Sequence, residues 1–190
     1  MSKIFVIGNG GHSKVVIDCL RKNNIEIAGI ITKEEENNNN ESHRGYKSIS
    51  ENKFIHNFKT EEVKLVNGIG ITPKNLNKRI ILINKMKKIG FNFLSIVDKS
   101  ATVADDVHLG EGSQVLHGSV IQSDTSIGDH SIINTSVSVD HDCKIHEHCH
   151  IAPRSVLCGE VTIKKKTFVG SGSIIVNKII INGFKFSWKV

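Results

Sequence analysis

The stretch from Val115 to Ile133 reads VLHGSVIQSDTSIGDHSII, and it places an aliphatic residue at every sixth position. The same register runs without a slip from Val97 to Ile181, which makes fifteen successive aliphatic positions. Neither helices nor alternating strands have a period of six. That period is typical of a parallel β-helix, in which three short strands form one triangular coil and the aliphatic side chains of successive coils stack into a core. The register therefore predicts five coils.

A second set of positions lies four residues after each aliphatic one, and its members are mostly small or β-branched. We expect them to face inward as well: Ala101, Val107, Ser113, Ser119, Thr125, Ser131, Val137, Cys143, Cys149, Ser155, Val161, Thr167 and Ser173. Two of the four cysteines fall in this set, so we interpret them as small buried thiols and not as part of a disulfide framework.

The first 96 residues alternate strand and helix patterns instead. We predict strands over Lys3–Ile7, Ile25–Ile31, Val63–Ile69 and Phe91–Ile96, and helices over Lys14–Arg21 and Leu76–Lys88. This alternation predicts a small parallel α/β sheet of the Rossmann-like type. We expect residues 34–41, EEENNNNE, to form a polar loop. The predicted organisation is an α/β domain over 1–96, a β-helix over 97–182 and a short tail over 183–190.

Composition narrows the class of function. The net charge is +6, from 25 Lys and Arg against 19 Asp and Glu, which fits a lysine-rich surface or an attraction for phosphorylated ligands such as nucleotide sugars and coenzyme A. With one Trp and one Tyr, the chain lacks the aromatic residues of a single-strand nucleic-acid surface. We find no export signal or membrane-length apolar run and expect a cytoplasmic protein without a membrane partner.

A glycine-rich turn follows the first predicted strand, at Gly8-Asn9-Gly10-Gly11-His12. Glycines at this place let a ligand phosphate approach the backbone, and the following helix offers free N–H groups. The turn does not complete a dinucleotide fingerprint, because its sixth position is Ser13 and the second strand ends in Ile31-Thr32-Lys33 without an acidic residue. A dinucleotide-dependent oxidoreductase is therefore disfavoured.

A candidate catalytic pair lies in the coils. His141 comes two positions after the core residue Val139, so its side chain should leave the core at or near a corner. Asp142 follows directly and can hydrogen-bond the imidazole, which would raise its basicity.

The chain resembles the NeuD/PglD-type sugar acetyltransferases, which include sialic acid O-acetyltransferases and UDP-4-amino-sugar N-acetyltransferases. The resemblance rests on Ile4–Asp18, on Val66–Gly70, on Ser100-Ala101 at the start of the coils and on Asn134–His141. It implies that the β-helix is left-handed, that acetyl-CoA is the co-substrate and that the protein is a homotrimer. No metal is expected.

The same resemblance implies roles for residues in the coils. His141 matches the general base that takes the proton from the acceptor amine or hydroxyl, and Asp142 stands where the family has an acidic partner. His150 matches the histidine near the acetyl carbonyl of acetyl-CoA. Gly159 and Ser171 match coil positions that line the arm of the coenzyme.

On the acceptor side, the resemblance assigns sugar-nucleotide binding to Gly10, Gly11 and His12, and it adds Asn134 as a substrate-binding residue. Thr32 and Lys33 occupy the region in which the family usually carries acidic residues that read the nucleotide.

The C-terminal end departs from the family. The six-residue register stops after Ile181, where relatives continue with a further coil, so we expect a truncated chain with a weakened adenine end of the CoA site and impaired activity. The aromatic residues Phe184, Phe186 and Trp188 are predicted to fold over the last coil, because an uncovered β-helix end exposes unpaired strand edges.

Two alternatives remain open from the sequence. His141 and His146 suggest a zinc protein of the γ-carbonic-anhydrase type, but a third convergent ligand is not evident. The chain would otherwise be a truncated, non-catalytic binding protein. The preferred prediction is an acetyl-CoA-dependent acetyltransferase that acts on a UDP-amino-sugar or a sialic-acid-like acceptor for surface glycan synthesis, with N- or O-acetylation undecided.

Overall fold

The computed structural model describes residues 2–33, 44–72 and 75–183. The chain divides into two compact units: Met1–Gly70 with Asn77–Leu94, and Ile71–Leu76 with Ser95–Val190. The predicted polar loop at 34–41 and the predicted aromatic cap at 184–190 lie outside the described residues.

The first unit is built on a five-stranded parallel sheet with the order β3-β2-β1-β4-β5. Its strands are β1 (Lys3–Ile7), β2 (Ile27–Thr32), β3 (Ser48–Ser50), β4 (Val63–Asn67) and β5 (Asn92–Phe93). Its helices are α1 (Gly11–Lys22), α2 (Glu51–Asn57) and α3 (Leu76–Ile89), with a short 3-10 helix at Thr60–Glu62. Buried Phe5, Ile31, Phe54 and Leu65 belong to its apolar core. The α/β prediction is confirmed.

Sequence patterns did not predict β3 and α2. The strand has only three residues, and the helix has seven and buries Phe54 alone, so neither shows a measurable period. The helix begins at a hydrogen bond from the Lys53 amide to the Ser50 hydroxyl, which is a local capping signal.

The second unit contains the coils. Three parallel five-stranded sheets form the three faces, and each strand of the inner coils pairs with the strands 18 residues before and after it. The fifteen two-residue strands, β6 to β20, are Ile96–Val97, Thr102–Val103, His108–Leu109, Gln114–Val115, Val120–Ile121, Ser126–Ile127, Ile132–Ile133, Ser138–Val139, Lys144–Ile145, His150–Ile151, Val156–Leu157, Thr162–Ile163, Phe168–Val169, Ile174–Ile175 and Ile180–Ile181. The predicted left-handed parallel β-helix of five coils is confirmed.

The predicted strand over Phe91–Ile96 is wrong in one respect, because the structure has two strands there. Asn92–Phe93 pairs with β4 of the first unit, whereas Ile96–Val97 pairs with β9 of the coils. The coil-containing unit begins at Ser95 and also includes Ile71–Leu76. The two strands are separated by only two residues, so the sequence pattern did not show that the chain passes from one sheet to another between Phe93 and Ile96.

The small inward residues, which lie four positions after each aliphatic one, make hydrogen bonds inside the core. Ser119 and Ser131 donate their hydroxyl hydrogens to the carbonyl oxygens of Asn134 and His146, fifteen residues further on, at 2.8 Å each. The Cys143 thiol makes the same type of contact to the Cys158 carbonyl at 3.2 Å. Corner carbonyls are thus satisfied from inside the coil, which explains why short polar side chains occupy these buried positions.

The four thiols are all free, and Cys19, Cys143 and Cys149 are buried. This confirms that the cysteines are not a disulfide framework. Burial raises the pKa of the Cys149 thiol to about 12, so this group is an unreactive core residue. In the part of the chain that the structure describes, no helix has the length and apolar character needed to cross a membrane.

Candidate active site

His141 lies at a corner of the β-helix, between strands β13 (Ser138–Val139) and β14 (Lys144–Ile145). Val139 and Cys143 on either side of the corner are fully buried in the core. Because the backbone must turn between two inward residues, the His141 side chain points outward, and about half of its surface is exposed. The predicted corner placement is confirmed.

The His141 imidazole is held by the next residue. Its Nδ1 lies 2.7 Å from Oδ2 of Asp142, whose backbone has a left-handed φ of 59°. A carboxylate only accepts, so Nδ1 carries the proton and Nε2 keeps its lone pair. The hydrogen bond to Asp142, followed by the nearby charge of Asp140, raises the pKa of His141 above its ordinary value. The pair can therefore supply a base through Nε2.

Gly159 provides the space for this ring. A Cβ atom built on Gly159 would lie 2.7 Å from Cε1 and 2.8 Å from Nε2 of His141. Gly159 does not have a left-handed φ, so its backbone does not itself demand glycine. The absence of a side chain at this coil position is required by the imidazole that lies against it.

Asn134 and His150 form a second polar pair in the coils. The amide Nδ2 of Asn134 lies 3.0 Å from Nε2 of His150, and Nδ1 of the same ring donates to the Ile71 carbonyl oxygen at 2.9 Å. His150 is buried, with 7% of its surface exposed, and packs edge-to-face on Phe168. This environment differs sharply from that of the exposed His141. Ser171 is exposed at a corner of the fifth coil.

The glycine-rich turn of the first unit forms a separate candidate site. Gly10 precedes α1 and Gly11 is its first residue, and a Cβ on either would meet no protein atom within 4 Å. Opposite this turn lies the loop after β4, where a Cβ on Gly70 would come 3.2 Å from Cβ of His12. The sheet order places β2 and β4 on opposite sides of β1, and ligands bind at the carboxyl ends of strands at such a switch point.

Thr32 ends β2, next to this turn in the sheet, and Lys33 follows it. Thr32 is buried and Lys33 is exposed. The strands β1 and β2 are neighbours in the sheet, and the Gly8 amide donates to the Ile31 carbonyl oxygen at 2.7 Å. The end of β2 therefore lies at the same edge of the sheet as the turn.

Two residues near these sites were not predicted. Ile71 contacts His150 through its carbonyl, and no sequence signal marks a backbone contact of this kind. Arg79 is fully buried in α3, where its Nε donates to the Ile69 carbonyl at 2.8 Å and burial lowers its pKa to about 9. Because Arg79 lies in an amphipathic helix that carries other basic residues, no sequence signal indicated that its side chain is buried.

Within the described residues, no three His, Cys, Asp or Glu side chains come together in a way that could hold a metal ion. His146, the proposed zinc partner of His141, lies after β14, at the next corner of the same coil. It is exposed there.

A left-handed β-helix built from six-residue repeats, preceded by a Rossmann-like unit, places the chain in the fold class of the hexapeptide-repeat proteins. Two family models each match one part of the chain. The PglD N-terminal domain matches residues 3–86, and the GMPPB C-terminal domain matches residues 78–186, which is more than half of the chain.

Solved structures of similar proteins share both units. One is a mutant of perosamine N-acetyltransferase from Caulobacter crescentus in complex with CoA and GDP-perosamine, at 29% identity and a TM-score of 0.79, with 95% of this chain and 91% of that one covered. Another is the acetyltransferase domain of PglB from Neisseria gonorrhoeae in complex with acetyl coenzyme A, at 25% identity and a TM-score of 0.71, covering 96% and 91%. The chain belongs to the family of the GMPPB C-terminal domain, and the match to the PglD N-terminal domain and to these structures supports its resemblance to the NeuD/PglD-type sugar acetyltransferases.

Curated relatives match over shorter stretches. UDP-3-O-acylglucosamine N-acyltransferase of Neisseria gonorrhoeae is 35% identical over 63 residues, which are 33% of this chain and 18% of that protein. The chain thus spans less than a fifth of the length of this relative.

Proposed function

We propose that the protein transfers the acetyl group of acetyl-CoA to a nucleotide-linked amino sugar or a sialic-acid-like sugar. The observation that carries this proposal is the outward Nε2 lone pair of His141, held by Asp142 and lying against Gly159. The relatives solved with CoA, acetyl coenzyme A and GDP-perosamine support the choice of both substrates.

In the proposed reaction, Nε2 of His141 takes a proton from the acceptor amine or hydroxyl as that group attacks the thioester carbonyl. The new bond joins the acceptor nitrogen or oxygen to the acetyl carbon, and the carbon–sulfur bond breaks. The His141 imidazolium then returns its proton to the departing thiolate. Asp142 keeps the ring in the tautomer that leaves Nε2 available and stabilises the imidazolium.

The resemblance to the family supports a proposed set of binding residues. We assign the coenzyme arm to the coil positions Gly159 and Ser171, and the sugar nucleotide to the turn around Gly10, Gly11 and His12, with Thr32 and Lys33 at the same sheet edge. The net charge of +6 favours both anionic substrates. Free thiols and these substrates agree with a cytoplasmic enzyme in surface glycan synthesis.

A thermal-shift screen tests the proposed function. Acetyl-CoA and at least one of the nucleotide amino sugars should each raise the melting temperature, because both bind the folded state only. Sialic acid replaces the nucleotide sugar in a parallel arm. Zinc in the purified protein together with no response to acetyl-CoA would point to the rival metalloprotein, and no response without zinc to a non-catalytic protein.

The rate should depend on pH through His141. Only the neutral imidazole can accept a proton, and the pKa of His141 is raised, so activity should be low below that pKa and rise to a plateau above it. In Asp142→Asn the hydrogen bond that is the largest cause of the raised pKa goes to a neutral acceptor in place of a carboxylate, so the midpoint of kcat against pH should move to lower pH. A midpoint that stays in place in this variant would exclude His141 as the titrating base.

Substitution of Gly11 should separate the two substrates. In Gly11→Val the new side chain would fill the space beside the turn, where no protein atom lies within 4 Å, so the fold should be kept and nucleotide-sugar binding lost. Gly11→Ala adds only Cβ and should weaken binding less. Calorimetry measures both, and unchanged acetyl-CoA affinity is the control. Nucleotide-sugar binding at the wild-type level in Gly11→Val would place the acceptor elsewhere.

We also propose that the protein is a homotrimer. The last coil exposes Ile174, Val176 and Ile180, each more than half accessible, on the outside of the prism. Exposed apolar side chains of this size favour self-association. Light scattering at micromolar concentration should return three chain masses, and a single chain mass would overturn the assignment.

A further inference from the structure

Two buried polar side chains hold the short loop that follows β4, residues 68–70, which we call the β4 loop. Oδ1 of Asn67 accepts from the Ile69 amide at 2.9 Å, and Nε of Arg79 donates to the Ile69 carbonyl oxygen at 2.8 Å. Asn67 is 1% exposed and Arg79 is fully buried. Both polar backbone groups of Ile69 are therefore held by side chains, one at the end of β4 and one in α3.

The burial of Arg79 is costly, because a guanidinium group that leaves water loses its hydration. An apolar side chain of similar volume would pack in α3 without this cost. The hydrogen bond to the Ile69 carbonyl is a contact that such a side chain could not make. The structure thus ties the presence of a buried cation in α3 to the position of the β4 loop.

The β4 loop lies against the glycine-rich turn of the same unit. A Cβ built on Gly68 would lie 2.7 Å from Cβ of Ser13, and one on Gly70 would lie 3.2 Å from Cβ of His12. The Gly68 amide also donates to the Ile7 carbonyl oxygen at 2.8 Å. The loop and the turn are therefore the two sides of one crevice at the carboxyl ends of β4 and β1, and a shift of the loop changes its width.

We propose that Arg79 is a positioning residue for the nucleotide part of the acceptor. By holding the β4 loop against His12, it fixes one side of the crevice. The other side is the open turn, where a Cβ on Gly10 or Gly11 would meet no protein atom within 4 Å. Arg79 acts through the loop and touches no ligand itself. The inference rests on the proposed function, which places the nucleotide sugar at this turn.

The binding test compares two neighbouring cations of α3. Arg79→Met keeps a long side chain but removes the hydrogen bond, and Lys78→Met removes an exposed charge one residue away. Both variants lose one positive charge, so a general attraction for anionic ligands should weaken equally in both. Calorimetry with UDP- and GDP-linked amino sugars and with acetyl-CoA measures the dissociation constants.

We expect the Kd of the nucleotide sugar to rise about tenfold in Arg79→Met, the effect of one lost hydrogen bond, because a loop that is no longer held must be ordered on binding. In Lys78→Met it should stay within about twofold of wild type. The Kd of acetyl-CoA should stay within about twofold in both variants. Arg79→Lys keeps the charge but places a carbon where Nε stands, so it should behave like Arg79→Met and replaces that variant if its melting temperature shows that it is unfolded.

The structural part is tested without any ligand. Amide hydrogen exchange followed by NMR should be at least about tenfold faster for Ile69 in Arg79→Met than in wild type, because the loop opens more often. The amide of Val66, inside β4, should keep its wild-type rate. An unchanged rate at Ile69 would show that Arg79 does not hold the loop and would overturn the proposal.

The binding results decide the rest. Wild-type affinity for the nucleotide sugar in folded Arg79→Met would overturn the positioning role, and an equal loss in Lys78→Met would assign the effect to net charge. An equal loss of acetyl-CoA affinity in Arg79→Met would assign it to the fold as a whole. A wild-type protein that binds none of the nucleotide sugars would instead refute the proposed acceptor site and this role with it, while the exchange rates would still show whether Arg79 holds the loop.

Discussion

Replacement of His141 by alanine is expected to lower kcat by roughly a hundredfold to ten-thousandfold, the range of a lost general base. The Kd of acetyl-CoA should stay nearly unchanged, because the ring is exposed at a corner and its removal leaves Val139 and Cys143 in the core. Steady-state kinetics and calorimetry measure the two quantities. His146→Ala is the matched control, since His146 is another exposed corner histidine.

The partner of the base should matter less. Asp142→Asn keeps an acceptor oxygen beside Nδ1 of His141 but removes the charge that stabilises the imidazolium, so its kcat should fall between wild type and His141→Ala. Full activity of His141→Ala would remove the proposed mechanism. A decrease in kcat in His146→Ala as large as in His141→Ala would show that corner histidines affect the rate by stabilising the fold.

The second large effect is expected from a single added methyl group. In Gly159→Ala the new Cβ would lie 2.7 Å from Cε1 of His141, a separation that real Cβ contacts do not show, so the ring must move. A displacement of this size in a catalytic group costs about a hundredfold in rate. The backbone of Gly159 tolerates an L-residue, so the melting temperature should change little.

The double variant isolates the cause. If Gly159 acts by leaving room for the ring, His141→Ala combined with Gly159→Ala should be no slower than His141→Ala alone. If the two losses in kcat instead multiply, Gly159 contributes to the reaction independently of the position of His141, for example through the coenzyme arm.

Much of the fold could be predicted because its repeat is short and each coil packs only against the coils before and after it. Each six-residue unit places one aliphatic residue in the core. An insertion or a polar residue at any of these positions would have interrupted the series from Val97 to Ile181, and none does. The placement of His141 follows from the same count. The parallel sheet of the first unit was also predictable, because Lys3–Ile7 contains a continuous apolar run and Leu76–Ile89 is long enough to show a helical period.

The other features depend on contacts that are distant in sequence. The Ile71 carbonyl meets His150 across 79 residues, and a backbone acceptor leaves no trace in residue type. The room that Gly159 makes for His141 is visible only once the coil places residues 18 apart against each other. Arg79 could be recognised as buried only from the packing of α3, because a single arginine does not alter the amphipathic pattern of a helix.

Acetyl transfer by the protein is the most direct test of the proposed function. The protein is incubated with acetyl-CoA and each of a set of UDP- and GDP-linked amino sugars, and mass spectrometry follows the sugar while a thiol reagent follows free CoA. We predict one nucleotide sugar heavier by a single acetyl group, an equal amount of CoA thiol, and loss of both signals in His141→Ala. Absence of sugar acetylation and CoA release, together with no calorimetric binding of acetyl-CoA, would contradict the proposed acetyltransferase function.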